Sequence, residues 1–509
     1  MNLNEYEHEG LNKEDRISQL PDHIIHDILR FLPIKSAAQT IILSKRWKSL
    51  FSSIPYLNFT TMELQTTSSV NSSKDINFIN NVFNFRDNNA SIRTLKLKSF
   101  VLSSTVFNCL TNYPNILNIE ELEVNLKTRE ENVYIPSNII NYKSLRVLRL
   151  NILCLDLKLT QPLMLKNREF KLLHTMILSQ QSFLMFTHHD NRRTLLDIFT
   201  DSSFPYLKKL ILESCYNLKE LNVRCSELKD LVIKNCFQLR KLDIYGLKLE
   251  RLNVENCFDY ISIVNIRIIA PVMKILKWVD THSTQIPVLE KSYLLEEAVI
   301  GLLPSDFDFD NYIIEPAQIQ SLSNMITAIS HAKFLKFKFQ SIEIFSRNDD
   351  KQILVNKFER LRKLEICIEY YHFNGYNNLL AIATLFKNSP YLETLVIKNT
   401  LIKCDRRLIN GYRKKRMRSD SSDDKYWKRQ IPEMSSFLNH LRRVKLNGFL
   451  ECEKDISLVK FLLKNGKVLE EIVLCFGLDS KLRYESRRKM KHMVMRWRRA
   501  SCNARVVFK

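Results

Sequence analysis

The sequence predicts an α/β protein: a solenoid of stacked short strands, preceded by three small helices and closed by an α/β cap. Three observations carry this. Apolar triplets of the form L-x-x-L-x-L recur from residue 92 to residue 474, a stretch near the N-terminus holds a wide apolar stripe at helical spacing, and residues 440–474 read as strand, helix, strand. At 509 residues the chain is long enough for two or three compact domains or for one repeat array with appendages, and the repeats decide for the array.

The N-terminal element rests on LPDHIIHDILRFLP, residues 20–33, and LSKRW, residues 43–47. Pro21 fits the first helical position, where its missing N–H costs nothing, and Asp22 sits well against the helix dipole. Ile24, Ile28 and Phe31 form one apolar row, Ile25, Leu29 and Leu32 the next, before Pro33 ends the helix. Pro33 then opens a second short helix, Lys35 to Thr40. Ser44 is a candidate N-cap for a third, which carries Trp47, Leu50 and Phe51 inward while Lys45, Arg46 and Lys48 stay wet. Three helices in about 45 residues make a marginal core, so part of their apolar surface calls for a partner.

These residues, in this order, resemble an F-box. The resemblance implies docking on a Skp-family adaptor, and through it on a cullin ubiquitin ligase, with Leu20, Pro21, Ile24, Ile28, Leu32, Ile34 and Trp47 at the matching adaptor-binding positions. Residues 38–42, AQTII, depart from the VRTSV-like run usual in plant F-boxes and lack its arginine.

The repeats begin at Ile92-Leu95-Leu97, Ile119-Leu122-Val124, Leu145-Leu148-Leu150 and Leu173-Met176-Leu178, spaced by 27, 26 and 28 residues. That is leucine-rich-repeat spacing, with room for a strand and a return helix in each unit. From residue 207 the period collapses. Leu207-Leu210-Leu212, Leu218-Leu221-Val223, Leu228-Leu231-Ile233, Leu239-Leu242-Ile244 and Leu249-Leu252-Val254 start 10 or 11 residues apart, too few for a helix. Strands on both sides of each coil, with 21 residues per turn, are expected instead; Cys215, Cys236 and Cys257 keep that interval and read as small buried thiols beside a turn. Outward positions of the strands, candidates to face a target, are Lys209, Ile211, Glu213, Asp230, Val232, Lys234, Arg251, Asn253 and Glu255, three charges of each sign. The opposite strands expose Glu220, Asn222, Arg224, Lys241, Asp243 and Tyr245, again balanced.

Looser units follow at Leu295-Ala298-Ile300, Phe334-Phe337-Phe339, Leu361-Leu364-Ile366 and Leu392-Leu395-Ile397. Leu441-Val444-Leu446 and Leu469-Ile472-Leu474 then bracket an apolar helical stretch, residues 456–463, which adds to the array and caps it. Residues 440–474 and the closing SCNARVVFK are similar to the FBD domain of plant F-box proteins. The expected division is an acidic tail 1–13, F-box 14–60, linker 61–90, leucine-rich repeats 91–400, a basic and acidic mobile loop 401–429, and an FBD-like domain 430–509.

Composition excludes other classes. No apolar run approaches 18 residues and the first ten residues are acidic and polar, so neither a membrane span nor a signal peptide is expected. Eleven cysteines without a C-x-x-C pair fit reduced thiols in the nucleus or cytoplasm. The 8 glycines form no phosphate cradle or nucleophile elbow; no cofactor, metal site or catalytic residue is expected. His188, His189 and Asp190 are adjacent and do not share a face.

The net charge of +22 raises nucleic acid as a partner, but residues 403–429 and 481–509 supply seventeen of those charges. The balanced strand faces argue against a phosphate-binding surface. In the first basic segment Arg413, Lys414, Lys415, Arg416 and Arg418 are candidates for nuclear import, with a solvated insertion as the alternative; the second reads as a capping helix with a charged outer face. The expectation is a non-catalytic substrate-recruiting subunit of an SCF-type ligase, with an unknown protein target held by repeats and FBD-like end. A nuclear scaffold or nucleic-acid-binding protein using the basic segments is the rival.

Overall fold

The computed structural model describes residues 16–17, 19–60, 69–99, 118–128, 143–154, 170–181, 198–258, 264–280, 288–289, 293–302, 316–338, 357–370, 378–401, 422–449, 453–476 and 484–509. The chain divides into two compact units, Met1–Gln161 with Asn167–Met176, and Pro162–Lys166 with Ile177–Lys509.

The first unit opens with α1 (Asp22–Arg30), α2 (Ile34–Gln39), a 3-10 turn (Thr40–Ile42) and α3 (Lys45–Ser52). Pro21 is the N-cap of α1 rather than its first residue, with φ −57° and ψ 149°, because extended backbone there lets Asp22 take the first helical position. Pro33 does the same for α2. Ser44 caps α3 as expected, its hydroxyl accepting the Trp47 N–H at 3.3 Å. Ile25 and Leu29 of α1, Ile34 and Ala37 of α2, and Leu50 and Phe51 of α3 form the interior, while Trp47 is only partly covered.

Residues 61–90, expected as a linker, include a further helix, α4 (Ser69–Phe85), with Ile79, Val82 and Phe83 buried. Its C-terminal end joins the helical interior: Phe85 lies 6.2 Å from Phe51, Phe83 6.2 Å from Phe59, and buried Arg86 donates to the Ile54 carbonyl at 2.5 Å. Strands β1 (Tyr56–Asn58), β2 (Thr94–Ser99), β3 (Glu121–Thr128) and β4 (Val147–Cys154) then pair in parallel in that order. Leu95, Leu122 and Leu148 are fully buried at matching positions, so the first triplets lie in register.

β5 (Thr175–Ser179) falls at the division between the units. The second unit begins with short strands: β6 (Phe199–Thr200), β7 (Lys209–Glu213), β8 (Glu220–Arg224), β9 (Asp230–Lys234), β10 (Lys241–Tyr245), β11 (Arg251–Glu255), β12 (Asn265–Ile269), β13 (Ile275–Asp280), β14 (Val288–Leu289) and β15 (Glu297–Leu302). Alternate strands belong to different parallel sheets. One runs β7-β9-β11-β13-β15 and continues; the other is β14-β12-β10-β8-β6. Lys209 pairs with Asp230 and Asp230 with Arg251, as Glu220 does with Lys241, each 21 residues on. The short period therefore sends successive strands to alternate sheets, with no room for a helix between them.

Beyond residue 302 helices return. α5 (Pro316–Ile329) precedes β16 (Phe334–Lys338), α6 (Asn378–Lys387) lies between β17 (Lys363–Tyr370) and β18 (Thr394–Leu401), and α7 (Ser422–Gln430) and α8 (Ser435–His440) precede β19 (Arg443–Phe449). α9 (Glu453–Asn465), β20 (Glu471–Phe476), α10 (Tyr484–Met495) and β21 (Arg505–Phe508) complete the chain, with β15 to β21 pairing in sequence order and in parallel. Parallel neighbours need a crossover, and these helices supply it for every pair but β16 and β17, between which residues 339–356 lie outside the described residues.

Three expectations change here. The triplet near residue 334 is Ala332-Leu335-Phe337, all fully buried, and Phe334 faces the other way with Lys363 4.8 Å over its ring. Two residues of frame shift come from the alanine, which fills the first apolar position without looking like one. Residues 264–280 hold β12 and β13 outside the expected triplets; in β13 Met273 and Trp278 stand where leucines would, and Trp278 stacks on Phe258 at 5.4 Å. Residues 422–430, expected up to 429 within a mobile loop, are helical: Trp427 is buried 4.8 Å from Phe461 and 6.3 Å from Phe386.

Candidate functional site

The helical N-terminus buries Ile25 and Leu29 and leaves Leu32 and the other α1 row outside. Ile24, Ile28 and Leu32 remain exposed, Phe31 at 86% and, at the end of the 3-10 turn, Ile42 at 87%. Leu43 is exposed as well. Of the seven residues expected to meet an adaptor, Pro21, Ile24, Ile28 and Leu32 are exposed, Leu20 and Trp47 partly covered, and Ile34 buried. The Ile34 side chain belongs to the helical core and offers nothing outward.

Polar contacts hold this face in place. Arg46, expected to stay wet, donates to Asp22 at 2.6 Å and to the Leu20 carbonyl, so the two ends of the module are tied beside Leu20. His26 bonds through Nε2 with the Leu50 carbonyl at 3.0 Å, joining α1 to α3. With three such contacts in its frame, the module leaves at least six large apolar side chains wet, an exposed patch of the kind that marks an interaction surface.

The outward strand faces carry the second candidate surface. Leu210, Leu212, Leu231, Ile233, Leu252 and Val254 point in, and Lys209, Ile211, Glu213, Val232, Lys234, Arg251, Asn253 and Glu255 are at least partly accessible, in the expected phase. Asp230 is the exception at 8% exposed, because Lys209 and Arg251 reach its carboxylate from the neighbouring strands at 3.4 and 3.1 Å and cover it. On the opposite sheet Asn222 is likewise buried, accepting from Arg224 Nε at 3.1 Å.

A carboxylate between two cations recurs. Glu121 of β3 meets Lys96 of β2 at 3.2 Å and Arg149 of β4; Glu365 of β17 meets Lys336 of β16 and Lys398 of β18, each at 2.8 Å. Burial pushes both glutamates up, and the hydrogen bonds and charges of the paired cations outweigh it, leaving each carboxyl below its ordinary value. Parallel register puts Lys209, Asp230 and Arg251 on one line across three strands, whereas Glu121 reaches both its cations diagonally and Glu365 meets Lys336 directly and Lys398 diagonally, arrangements no spacing rule within a single repeat reveals.

At the strand ends Ser214, Asn235 and Asn256 take positive φ of 52°, 52° and 54°, and their N–H groups donate to Lys234, Glu255 and Val279 carbonyls at 2.8 Å each. Asn tolerates this conformation better than most side chains. Each precedes a repeat cysteine, whose buried thiol turns to a strand carbonyl, as Cys257 does to Ile233 at 3.3 Å. A hydrogen bond with Cys236 and burial push Cys215 up, and burial with the Asp201 charge pushes Cys225 up to about 12, so these thiols stay protonated.

Among the described residues no group of three His, Cys, Asp or Glu side chains is placed to hold a metal ion, and no helix is long and apolar enough to cross a membrane. His188, His189, Asp190 and the import candidates Arg413, Lys414, Lys415, Arg416 and Arg418 lie outside the described residues.

Comparison with known proteins places both ends of the chain. The F-box domain family model matches residues 17–59, and the FBD model residues 434–474. A protein of Arabidopsis thaliana described as F-box/FBD/LRR-repeat is 33% identical over 465 residues, 90% of this chain and 89% of its own length. F-box/LRR-repeat protein 13 of the same plant is 23% identical over 508 residues, 95% and 94% of the two chains. A further F-box/LRR-repeat protein of that plant is 60% identical over 45 residues, 9% and 8%.

Proposed function

The chain belongs to the F-box/FBD/LRR-repeat family, and from that membership we propose that it is the substrate-recognition subunit of an SCF-type ubiquitin ligase. In this reading the N-terminal helices dock on a Skp-family adaptor carried by a cullin scaffold. The repeats coil as a solenoid which, with the FBD end, holds a protein target in the nucleus or cytoplasm. The chain performs no chemistry itself; its contribution is the proximity and orientation of a target lysine to a conjugating enzyme.

One observation carries the reading: the apolar row of Ile24, Ile28 and Phe31, with Leu32 of the neighbouring row, left uncovered on a helical module within the F-box match. The parallel registers with 21-residue offsets support the coiling of the repeats. Co-purification with a Skp-family adaptor tests docking, and undiminished recovery by the Leu20→Ala, Pro21→Ala double variant overturns it. Affinity purification with that same variant, which lets bound targets accumulate, tests target holding.

The rival reading draws on α10 and the residues after it, where Arg488, Lys489, Lys491, Arg496 and Arg498 are exposed. Generic DNA binding that falls steeply with salt would favour it.

A further inference from the structure

We propose that the outward face of β16 to β19 binds an acidic segment of the target protein. This deepens the reading of the repeats as the target-holding part and rests on it. On these four adjacent strands the described outward side chains include Lys336, Lys338, Lys363, Lys398, Arg443 and Lys445 against one carboxylate, Glu365. The contrast with β7, β9 and β11, where three charges of each sign face out, is within the same unit.

The flanking strands β15 and β20 add Glu297 and Glu471, but both stand in the first outward position, Glu471 paired directly with Arg443. The centre of the face is not offset in that way. Lys445 has Val396 and Val473 as its strand partners, and Lys338 pairs with Cys367. Lys398 has Cys367 and Asn447 as partners. Glu365, 7% exposed, takes both Lys336 and Lys398 on a single oxygen, so one buried negative charge holds two ammonium groups side by side and leaves the group net positive. The Lys338 stem lies across Gly301, where a Cβ would stand 2.8 Å from its Cδ; the glycine lets that cation lie flat along the sheet.

Size and composition favour a peptide over nucleic acid. Four strands span about 14 Å, shorter than the track a duplex needs for several phosphate contacts. Val299, Val396 and Val473 interleave with the cations in the middle column, which suits a chain carrying acidic and small apolar side chains.

The test uses the full chain and fluorescence anisotropy with a labelled peptide of alternating Glu and Ala, its Gln counterpart, and generic duplex DNA. Expected are binding of the Glu peptide at least about tenfold tighter than the Gln peptide, weakening with added salt, and DNA no tighter than the Glu peptide. Lys445→Glu, at an exposed position with apolar partners, should lower that affinity about tenfold or more with unchanged melting. The triple variant Lys336→Gln, Glu365→Gln, Lys398→Gln removes the buried charge together with its partners and should abolish the preference for Glu. Lys241→Gln, on the opposite sheet, should change nothing. Equal binding of the Gln peptide, or no loss in Lys445→Glu, overturns the proposal; tighter binding of DNA overturns the peptide as occupant. Adaptor co-purification, measured separately, reports on the ligase reading: its loss with Glu-peptide binding intact fails that reading alone, and the reverse fails this one.

Discussion

Arg46 and Asp22, 24 residues apart, form an ion pair of 2.6 Å, and the same guanidinium donates to the Leu20 carbonyl. The two N-terminal segments that read most clearly in the sequence are thereby fastened to each other. Both side chains of the pair are substantially exposed, 38% and 67%, so its own share of stability is small. Its effect is on where Leu20 and Pro21 sit. Arg46→Ala should therefore leave the melting temperature almost unchanged, within about 1 kcal/mol, while weakening adaptor binding. Calorimetric or surface-plasmon titration with a Skp-family adaptor, alongside a thermal melt, checks this; an adaptor affinity equal to wild type would detach the contact from docking.

The two rows of α1 should separate stability from binding. Leu29→Ala, in the interior, is expected to destabilise the helical unit by about 2–5 kcal/mol, whereas Ile28→Ala, on the exposed row, should cost little stability and about 2 kcal/mol or more of adaptor binding. Urea unfolding and adaptor titration of the two variants read the two effects. Loss of binding only in step with loss of fold would mean the exposed row has no partner there.

Register in the short-period strands has its own contrast. Leu231 is fully buried and Lys234 lies on the accessible face. Leu231→Ala should cost about 2–5 kcal/mol, and Lys234→Ala less than about 0.5 kcal/mol. Denaturation midpoints suffice for the comparison.

At Asn235 the backbone sets the outcome. Its φ of 52° strains an alanine and suits a glycine, so Asn235→Ala should lose about 1–2 kcal/mol relative to Asn235→Gly. Both variants also lose the side-chain bond from Asn256 Nδ2 at 3.2 Å, which makes their difference a backbone quantity. Equal midpoints in urea would refute the strain.

Acid should release the carboxylate bridges. Glu121 and Glu365 titrate below the ordinary value of 4.5 in the folded protein, so the native state binds fewer protons than the unfolded one between the folded value and 4.5. Their stabilisation is complete above 4.5 and is lost as pH falls through the folded value. Glu121→Gln should thus be less stable than wild type at neutral pH, and the gap should close on acidification below 4.5. Urea midpoints across that range test it, a constant gap being the contrary result.

Sequence periodicity by itself determined the strands. L-x-x-L-x-L places leucines on one face whatever lies beside them, and a period of 10 or 11 residues leaves no room for a helix, so the buried phase at Leu210, Leu231 and Leu252 and the 21-residue offsets were legible. It slipped where volume came from unexpected residues. Ala332 opens a triplet because Leu335 and Phe337 fill the space around it, and Trp278 does the work of a leucine beside Phe258. Local polarity likewise marked residues 422–430 as loop, whereas Trp427 finds Phe386 and Phe461 only once residues far along the chain are brought together.

The charge of the surface was beyond a reading confined to single repeats. Composition counted +22 and located much of it at two segments, and the sum over the short-period strands came out even. Only the tertiary pairing brought Lys336, Glu365 and Lys398 together from three strands, and tied Arg46 to Asp22, because register between distant strands and helices depends on packing that neighbouring residues do not encode.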